Sequence, residues 1–242
     1  MAKIFITGSS DGLGFLAARM LMEQGHEVIL HARNIKRAKD LKNLLPEVNT
    51  VLIADLSDMK ATKQLAEEVN ALGPFDTVIH NAGVYQVDRS TIFSVNVLAP
   101  YILTAMINRP QRLIYIGSNM HMQGNLDMNS LSLNKGVSYS DSKLQVLMLA
   151  FAVARKWPDV YVNTVDPGWV PTKMGGTGAP DDLKEGVRTQ VWLASNEDAL
   201  FSGQYLFHMK KVPYASKADN ENMQEQLIER CQEISGIMFP AN

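Results

Sequence analysis

Seven short runs of β-branched and aromatic residues recur along the chain, spaced so that helices fit between them: Ile4–Thr7, Val28–His31, Val51–Ala54, Thr77–His80, Leu113–Ile116, Tyr161–Val165 and Tyr205–Phe207. Each has the length of a strand rather than of a helix. Between the early runs the apolar period becomes helical: Leu13, Leu16, Ala17, Met20 and Leu21 share one face before a stop at Gly25, and Met59 to Val69 opens after Ser57-Asp58. Strand and helix in alternation build crossovers, and crossovers build a parallel sheet covered on both faces. The expected fold class is therefore α/β, doubly wound, with a mostly parallel seven-stranded sheet flanked by helices.

With 242 residues, 46% of them apolar, the chain can bury a sizeable core, and one domain over 1–242 is expected. Gly73-Pro74 and the loop Lys173–Asp182 are too short to link separate domains. The formal charge is −2 and the charged residues, 20% of the total, are interleaved, so no basic field exists for nucleic acid or an acidic membrane. Cys231 is the only cysteine, which excludes an intrachain disulfide and a cysteine-based metal site, and no metal is expected. It reads as a helix-packing thiol in a reducing compartment, which favours the cytoplasm. No apolar stretch reaches the roughly 18 residues of a membrane span, and Met1–Ile6 lacks the form of a signal peptide. Near the C-terminus, Met223, Leu227, Ile228, Cys231 and Ile234 form one face of a helix that stops at Gly236, expected to pack as an outer flap.

Thr7-Gly8-Ser9-Ser10-Asp11-Gly12-Leu13-Gly14 follows the first strand and opens the first helix, the context of a Rossmann-type dinucleotide turn. Gly8 permits the tight turn, Gly12 lets the backbone approach a pyrophosphate, and Gly14 lets the helix pack closely. Ser10, Leu13 and the helix N-terminus complete the cradle. Arg33 lies 19 residues after Gly14, where an acidic residue would hold the ribose hydroxyls of NAD, so a 2′-phosphate and hence NADP is preferred over NAD. Lys36 and Arg37 add positive charge there, while Asp11 opposes it. Asp55-Leu56 and Asn81-Ala82-Gly83 end the third and fourth strands, on the edge where such a sheet takes its ligand.

Tyr139 and Lys143 open a strongly helical segment and, four residues apart, share a face. A neighbouring ammonium favours the phenolate and is expected to lower the tyrosine's pKa. Ser118 ends the fifth strand, placed to donate to a carbonyl oxygen. Asn96 sits in an apolar helix, where its amide needs partners: a water near Lys143, or a structural bond that bends the helix.

In order and spacing, these motifs resemble the short-chain dehydrogenase/reductase family across nearly the whole chain: the Thr7–Gly14 turn, Asp55-Leu56, Asn81-Ala82-Gly83, Asn96, Ser118, Tyr139/Lys143 and Asp166-Pro167-Gly168-Trp169-Val170-Pro171-Thr172. The resemblance implies that Tyr139 is the general acid/base, that Lys143 lowers its pKa and binds ribose, that Ser118 orients the carbonyl and that Asn96 supports a proton relay. It also implies that Pro167, Gly168 and Val170 border the nicotinamide, with Thr172 near its amide or the phosphates. A cofactor half of about 1–110 and a catalytic half of about 111–242 follow from it, and a homodimer or homotetramer is the expected assembly.

Three departures from the pattern stand out: His80 replaces a usual asparagine, 83–96 is short, and 119–138 is long, as in retinol-dehydrogenase-like members. From that long segment Met120, Met122 and Met128 join Trp169 and Met174 as an expected adaptable apolar substrate lining or as packing of a lid against the body, and His121 reads as a substrate contact or, more simply, as a loop hydrogen-bonder. The expected reaction is hydride transfer between NADP(H) and a small carbonyl or alcohol. The alternatives are a non-catalytic NADP-binding sensor and a reductase of a conjugated C=C bond.

Overall fold

All seven apolar runs form strands: β1 (Lys3–Ile6), β2 (Glu27–Ala32), β3 (Val51–Ile53), β4 (Thr77–His80), β5 (Arg112–Ile116), β6 (Tyr161–Asp166) and β7 (Gln204–Phe207). They pair in parallel in the order β3-β2-β1-β4-β5-β6-β7, so the order reverses between β1 and β4. Such a reversal leaves a crevice at the carboxyl edge of the strands. The computed structural model describes residues 1–127 and 131–240, and an eighth strand, β8 (Lys210–Lys211), adds antiparallel to β7. The seven-stranded sheet expected from the sequence thus gains an edge. Its turn is His208-Met209, with φ of 48° and 61°. Turns of this hand normally advertise themselves by glycine or asparagine, and here neither marks it.

Helices α1 (Gly12–Glu23), α2 (Ile35–Leu44) and α7 (Leu183–Ser195) cover one face through Leu16, Leu21, Leu41, Val187 and Val191. On the other lie α3 (Met59–Ala71), α4 (Arg89–Phe93), α5 (Ala99–Met106), α6 (Tyr139–Lys156) and α8 (Glu221–Ser235). Leu227, Ile228 and Cys231 of α8 are buried in that second core, and Glu225 pairs with Arg155 and, at 2.7 Å, with Lys156 in the last turn of α6. The two cations also complement the negative end of the α6 dipole. Burial pushes the Cys231 thiol up to about 12, as befits a packing residue.

Between α4 and α5 the chain makes a π turn over Ser94–Leu98, with Asn96 at its centre. Pro100 has no N–H to offer the carbonyl four residues back, which is that of Asn96, so a wider ring is the natural relief. The helical expectation held here except for this bulge.

Candidate active site

The glycine turn forms where β1 feeds α1, and its neighbours dictate its residues. Gly8 has φ of +63°, and a Cβ there would stand 2.8 Å from the Ala82 backbone. At Gly14 a Cβ would meet the Asn81 side chain at 2.3 Å and the Gly8 carbonyl at 2.6 Å. Asn81 donates to the carbonyls of Thr7 and Gly8 at 3.0 and 3.1 Å, and Thr7 Oγ1 accepts from Ala82 N–H at 3.0 Å. Asn81 therefore braces the turn with its amide N–H groups.

His31, which carried no signal in the sequence, is the turn's other brace. Its Nδ1 accepts from Gly8 N–H at 2.9 Å, which leaves Nε2 as the protonated nitrogen that donates to Ala54 O at 2.9 Å. Burial drives its pKa down to about 4, against the opposing pull of Ala54 O and Asp55.

Side chains cap the N-termini of α2, α3, α4, α6, α7 and α8 through Asn34, Asp58, Asp88, Ser138, Asp182 and Asn220. At α1 the N-cap residue, Asp11, makes no such bond. Its carboxylate is taken instead by Arg37 at 2.6 Å and Lys173 at 3.0 Å. Partial burial pushes that carboxyl up, but the two cations outweigh it and hold its pKa below the ordinary value. The first N–H groups of α1 thus remain available to an anion, and the negative charge that opposed a phosphate is neutralised. Arg33 is exposed and pairs with Asp55 at 2.8 Å, while the other oxygen of Asp55 accepts from Ser57 N–H and Oγ. Leu56 is buried in the core, so its expected contact with the cofactor cannot come from its side chain.

The residues expected to be catalytic gather near the ends of β4 and β5 and the start of α6. Ser138 and Asp141 close a capping box that fixes the first turn of α6, in which Tyr139 is the first residue. Lys143, one turn on, is buried, and its Nζ donates to Ile116 O at 2.8 Å and lies 5.4 Å from the centre of the Tyr139 ring. Burial draws its ammonium down to about 8, against the nearby Asp166 carboxylate. The Tyr139 phenol is pushed up to about 12, first by burial and further by Asp166 and Tyr85, while the Ser118 hydroxyl opposes the rise. The expected lowering by Lys143 does not prevail, because desolvation of the phenolate dominates. Ser118 Oγ accepts from Met120 N–H at 3.3 Å, so the hydroxyl proton is left to donate.

Asn96 spends its amide on protein. Oδ1 accepts from Val84 N–H at 2.8 Å, and Nδ2 donates to Val84 O at 3.1 Å and Ser142 Oγ at 3.0 Å. Of the two roles read from the sequence, the structural one is filled, and both amide protons are committed without a water. A Cβ at Gly83 would stand 3.6 Å from Asn96 Oδ1 and 3.7 Å from Lys143 Nζ, so glycine keeps the space between them clear.

Over the crevice, Thr172 reaches within 3.6 Å of where a Gly12 side chain would be, and Pro167 and Val170 pack on Gly186 at the start of α7. Val170 is buried, and Gly168 takes φ of +78°. Around the phenol, the Tyr85 ring packs edge-on at 4.8 Å and Met174 Sδ lies 4.0 Å from the hydroxyl. Tyr85 was missed, since a lone tyrosine after a strand has no pattern. Met120, Met122, Trp169 and Met174 are all exposed, as a lining requires, and Met128 lies outside the described residues. His121 is the exception: it is fully buried with both ring nitrogens bonded inside the protein, which removes it from the substrate wall. His80, the departure from the usual asparagine, also turns inward, bonding Thr104 Oγ1 at 3.0 Å and packing against Tyr115. Among the described residues no group of His, Cys, Asp or Glu could hold a metal, and no helix is long and apolar enough to cross a membrane.

A doubly wound sheet with a glycine turn at its switch point, and a serine, tyrosine and lysine at its carboxyl edge, defines a class of nucleotide-dependent oxidoreductases. The family model for short chain dehydrogenase matches residues 2–182, and the chain belongs to that family. It is 41% identical to the short-chain dehydrogenase chyC of Penicillium rubens, with all of both chains covered. Among solved structures, an uncharacterised protein from Mycobacterium paratuberculosis superposes with a TM-score of 0.83 at 22% identity, covering 99% of this chain and 95% of the other. A blue fluorescent protein from a metagenomic library, solved in complex with NADPH, gives 0.72 at 21%, covering 85% of this chain and 95% of the other.

Proposed function

We propose that the protein is an NADP(H)-dependent oxidoreductase that moves a hydride between the nicotinamide and the carbonyl or alcohol of a small, mostly apolar molecule in the cytoplasm, with Tyr139 as general acid/base. The observation that carries this reading is the phenol itself: protonated at neutral pH, within the influence of the Ser118 hydroxyl, next to a buried ammonium and open to a cleft edged by Tyr85 and Met174. Preference for NADP is supported by the uncapped α1, by the neutralised Asp11, by the exposed Arg33 and by the NADPH that the metagenomic structural neighbour holds. Gly8, Gly12, Gly14 and the α1 N-terminus would hold the pyrophosphate, and Arg33 the 2′-phosphate.

When bound, the cofactor supplies or accepts the hydride. The chain handles the proton. In reduction, Ser118 donates to the carbonyl oxygen, and Tyr139 gives its proton to that oxygen as negative charge develops there. Lys143 keeps a positive charge close behind the phenol, which favours the phenolate left after transfer. Tyr85, Met120, Trp169 and Met174 exclude water and select apolar substrates without a fixed shape. The buried state of Lys143 and the Ser118 hydroxyl on the same site as the phenol favour turnover over mere nucleotide sensing.

The reading is tested by following NADPH and NADH oxidation over aldehydes, ketones, quinones and enones, with the products identified. Alcohol products formed with NADPH in preference to NADH are expected; tight NADPH binding with no oxidation of any compound would overturn it.

A further inference from the structure

Beneath the catalytic serine lies a histidine that the proposed chemistry does not use. The Ser118 carbonyl accepts two hydrogen bonds from His121, one from its backbone N–H at 3.1 Å and one from the ring at 2.8 Å. The far ring nitrogen, Nε2, accepts from Ala215 N–H at 3.1 Å, and an acceptor there requires the neutral tautomer with its proton on Nδ1. That proton is the one given to Ser118 O. Tyr205 holds the ring from the side, edge-on at 4.7 Å, and is itself fixed by its hydroxyl donating to Asp166 at 2.8 Å. Lys217, two residues past Ala215, donates to Gly124 O at 2.5 Å, so the segment before α8 is sewn to the segment after Ser118 at two points.

From this arrangement we infer that His121 is a positioning residue for Ser118: its Nδ1–H fixes the serine carbonyl, and so aims the hydroxyl at the substrate oxygen, while Ala215 selects the tautomer that can do so. The inference rests on the proposed function of Ser118. Preorganised donors matter because a displacement of about 1 Å can cost on the order of a hundredfold in rate. His121 reaches the reacting atoms only through Ser118 and through no contact of its own.

The side-chain chemistry separates aiming from packing. In His121→Asn the amide can place a donor where Nδ1 stood, whereas His121→Gln offers its amide only near the position of Nε2, and His121→Phe keeps the ring contact with Tyr205 but neither nitrogen. The expected result is a kcat close to that of the parent enzyme for His121→Asn. For His121→Gln and His121→Phe, kcat should fall roughly ten- to a hundredfold with KM for NADPH kept, whereas the thermal midpoint falls wherever Ala215 N–H loses its acceptor, in His121→Asn as in His121→Phe, so that stability does not track kcat. In a Ser118→Ala background, His121→Phe should change kcat by less than about twofold, because coupled residues are not additive. Nitrogen-15 spectra of the imidazole should show Nδ1 protonated and Nε2 bare. Equal losses in all three variants, losses that multiply with that of Ser118→Ala, or the opposite tautomer would overturn the inference. Should Ser118→Ala itself leave kcat intact, the proposed function of Ser118 fails instead, and the tautomer measurement still reports on His121 separately.

Discussion

At the scale of single residues, the site is governed by what burial does to two titrating groups. The phenol of Tyr139 is raised to about 12 and the ammonium of Lys143 lowered to about 8. The reductive direction needs a phenol that still holds its proton and a lysine that is still charged. Its kcat/KM should therefore be level through neutral pH and fall as pH rises past about 8, where Lys143 in the free enzyme loses its charge. A pH–rate profile with no descending limb near that value would contradict the assignment.

Arg33 offers a second residue-scale test. It is exposed and, among the described residues, pairs with Asp55, so its guanidinium can turn to a phosphate. Arg33→Ala should weaken NADPH binding by about tenfold or more while leaving NADH binding nearly unchanged, since charge-assisted contacts to phosphate are worth about 1.5–3 kcal/mol. Equal losses for the two nucleotides, measured by titration calorimetry, would show that the arginine does not read the 2′-phosphate.

The elements explain why some of this was legible in the sequence and some was not. A glycine turn that joins a strand to a helix, and a tyrosine and lysine one helical turn apart, are set by local geometry, and each was found where the spacing put it. His121, Asn81 and Asn96 were located correctly, but which of their open readings is filled, the inward one, was not legible. Their partners Ala215, Thr7 and Val84 are brought in by tertiary folding, which no local pattern reports. The inward turn of the Leu56 side chain was hidden for the same reason, since a strand-end position does not say which way a side chain points. The π turn and the β8 hairpin escaped because backbone hydrogen bonding, not residue type, defines them.

Because Tyr139 is the first residue of α6, the capping box at Ser138 should matter for function as well as for stability. Ser138→Ala should cost about 1 kcal/mol in urea denaturation and lower kcat by more than it raises KM, as the first turn frays and the phenol wanders. An unchanged kcat at reduced stability would separate the cap from the site.

For the molecule as a whole, acid is the expected weakness. His31 is buried neutral, with a pKa of about 4 against an ordinary 6.5. His80 is fully buried and lies at about 3. Between the ordinary value and these folded values the unfolded chain binds protons that the native protein cannot, so stability must fall as pH drops through that interval. For His31 the loss is on the order of 3 kcal/mol. Asp11 and Asp55, whose pKa values are lowered, add to the loss only below their ordinary value of 3.8. Urea midpoints measured from pH 6.5 down to 4 should decline steadily, and nucleotide binding should weaken with them, because a protonated His31 can no longer accept from Gly8 N–H. A flat stability curve over that interval would mean that the two imidazoles titrate normally.

The most direct test of the whole account is Tyr139→Phe. This change removes one hydroxyl and leaves the ring against Tyr85 and the α6 cap in place. Reduction of the substrate identified in the carbonyl screen should fall by on the order of a thousandfold or more, while NADPH binding followed by fluorescence titration stays within about twofold of the parent protein. Retention of a normal reduction rate in Tyr139→Phe would contradict it.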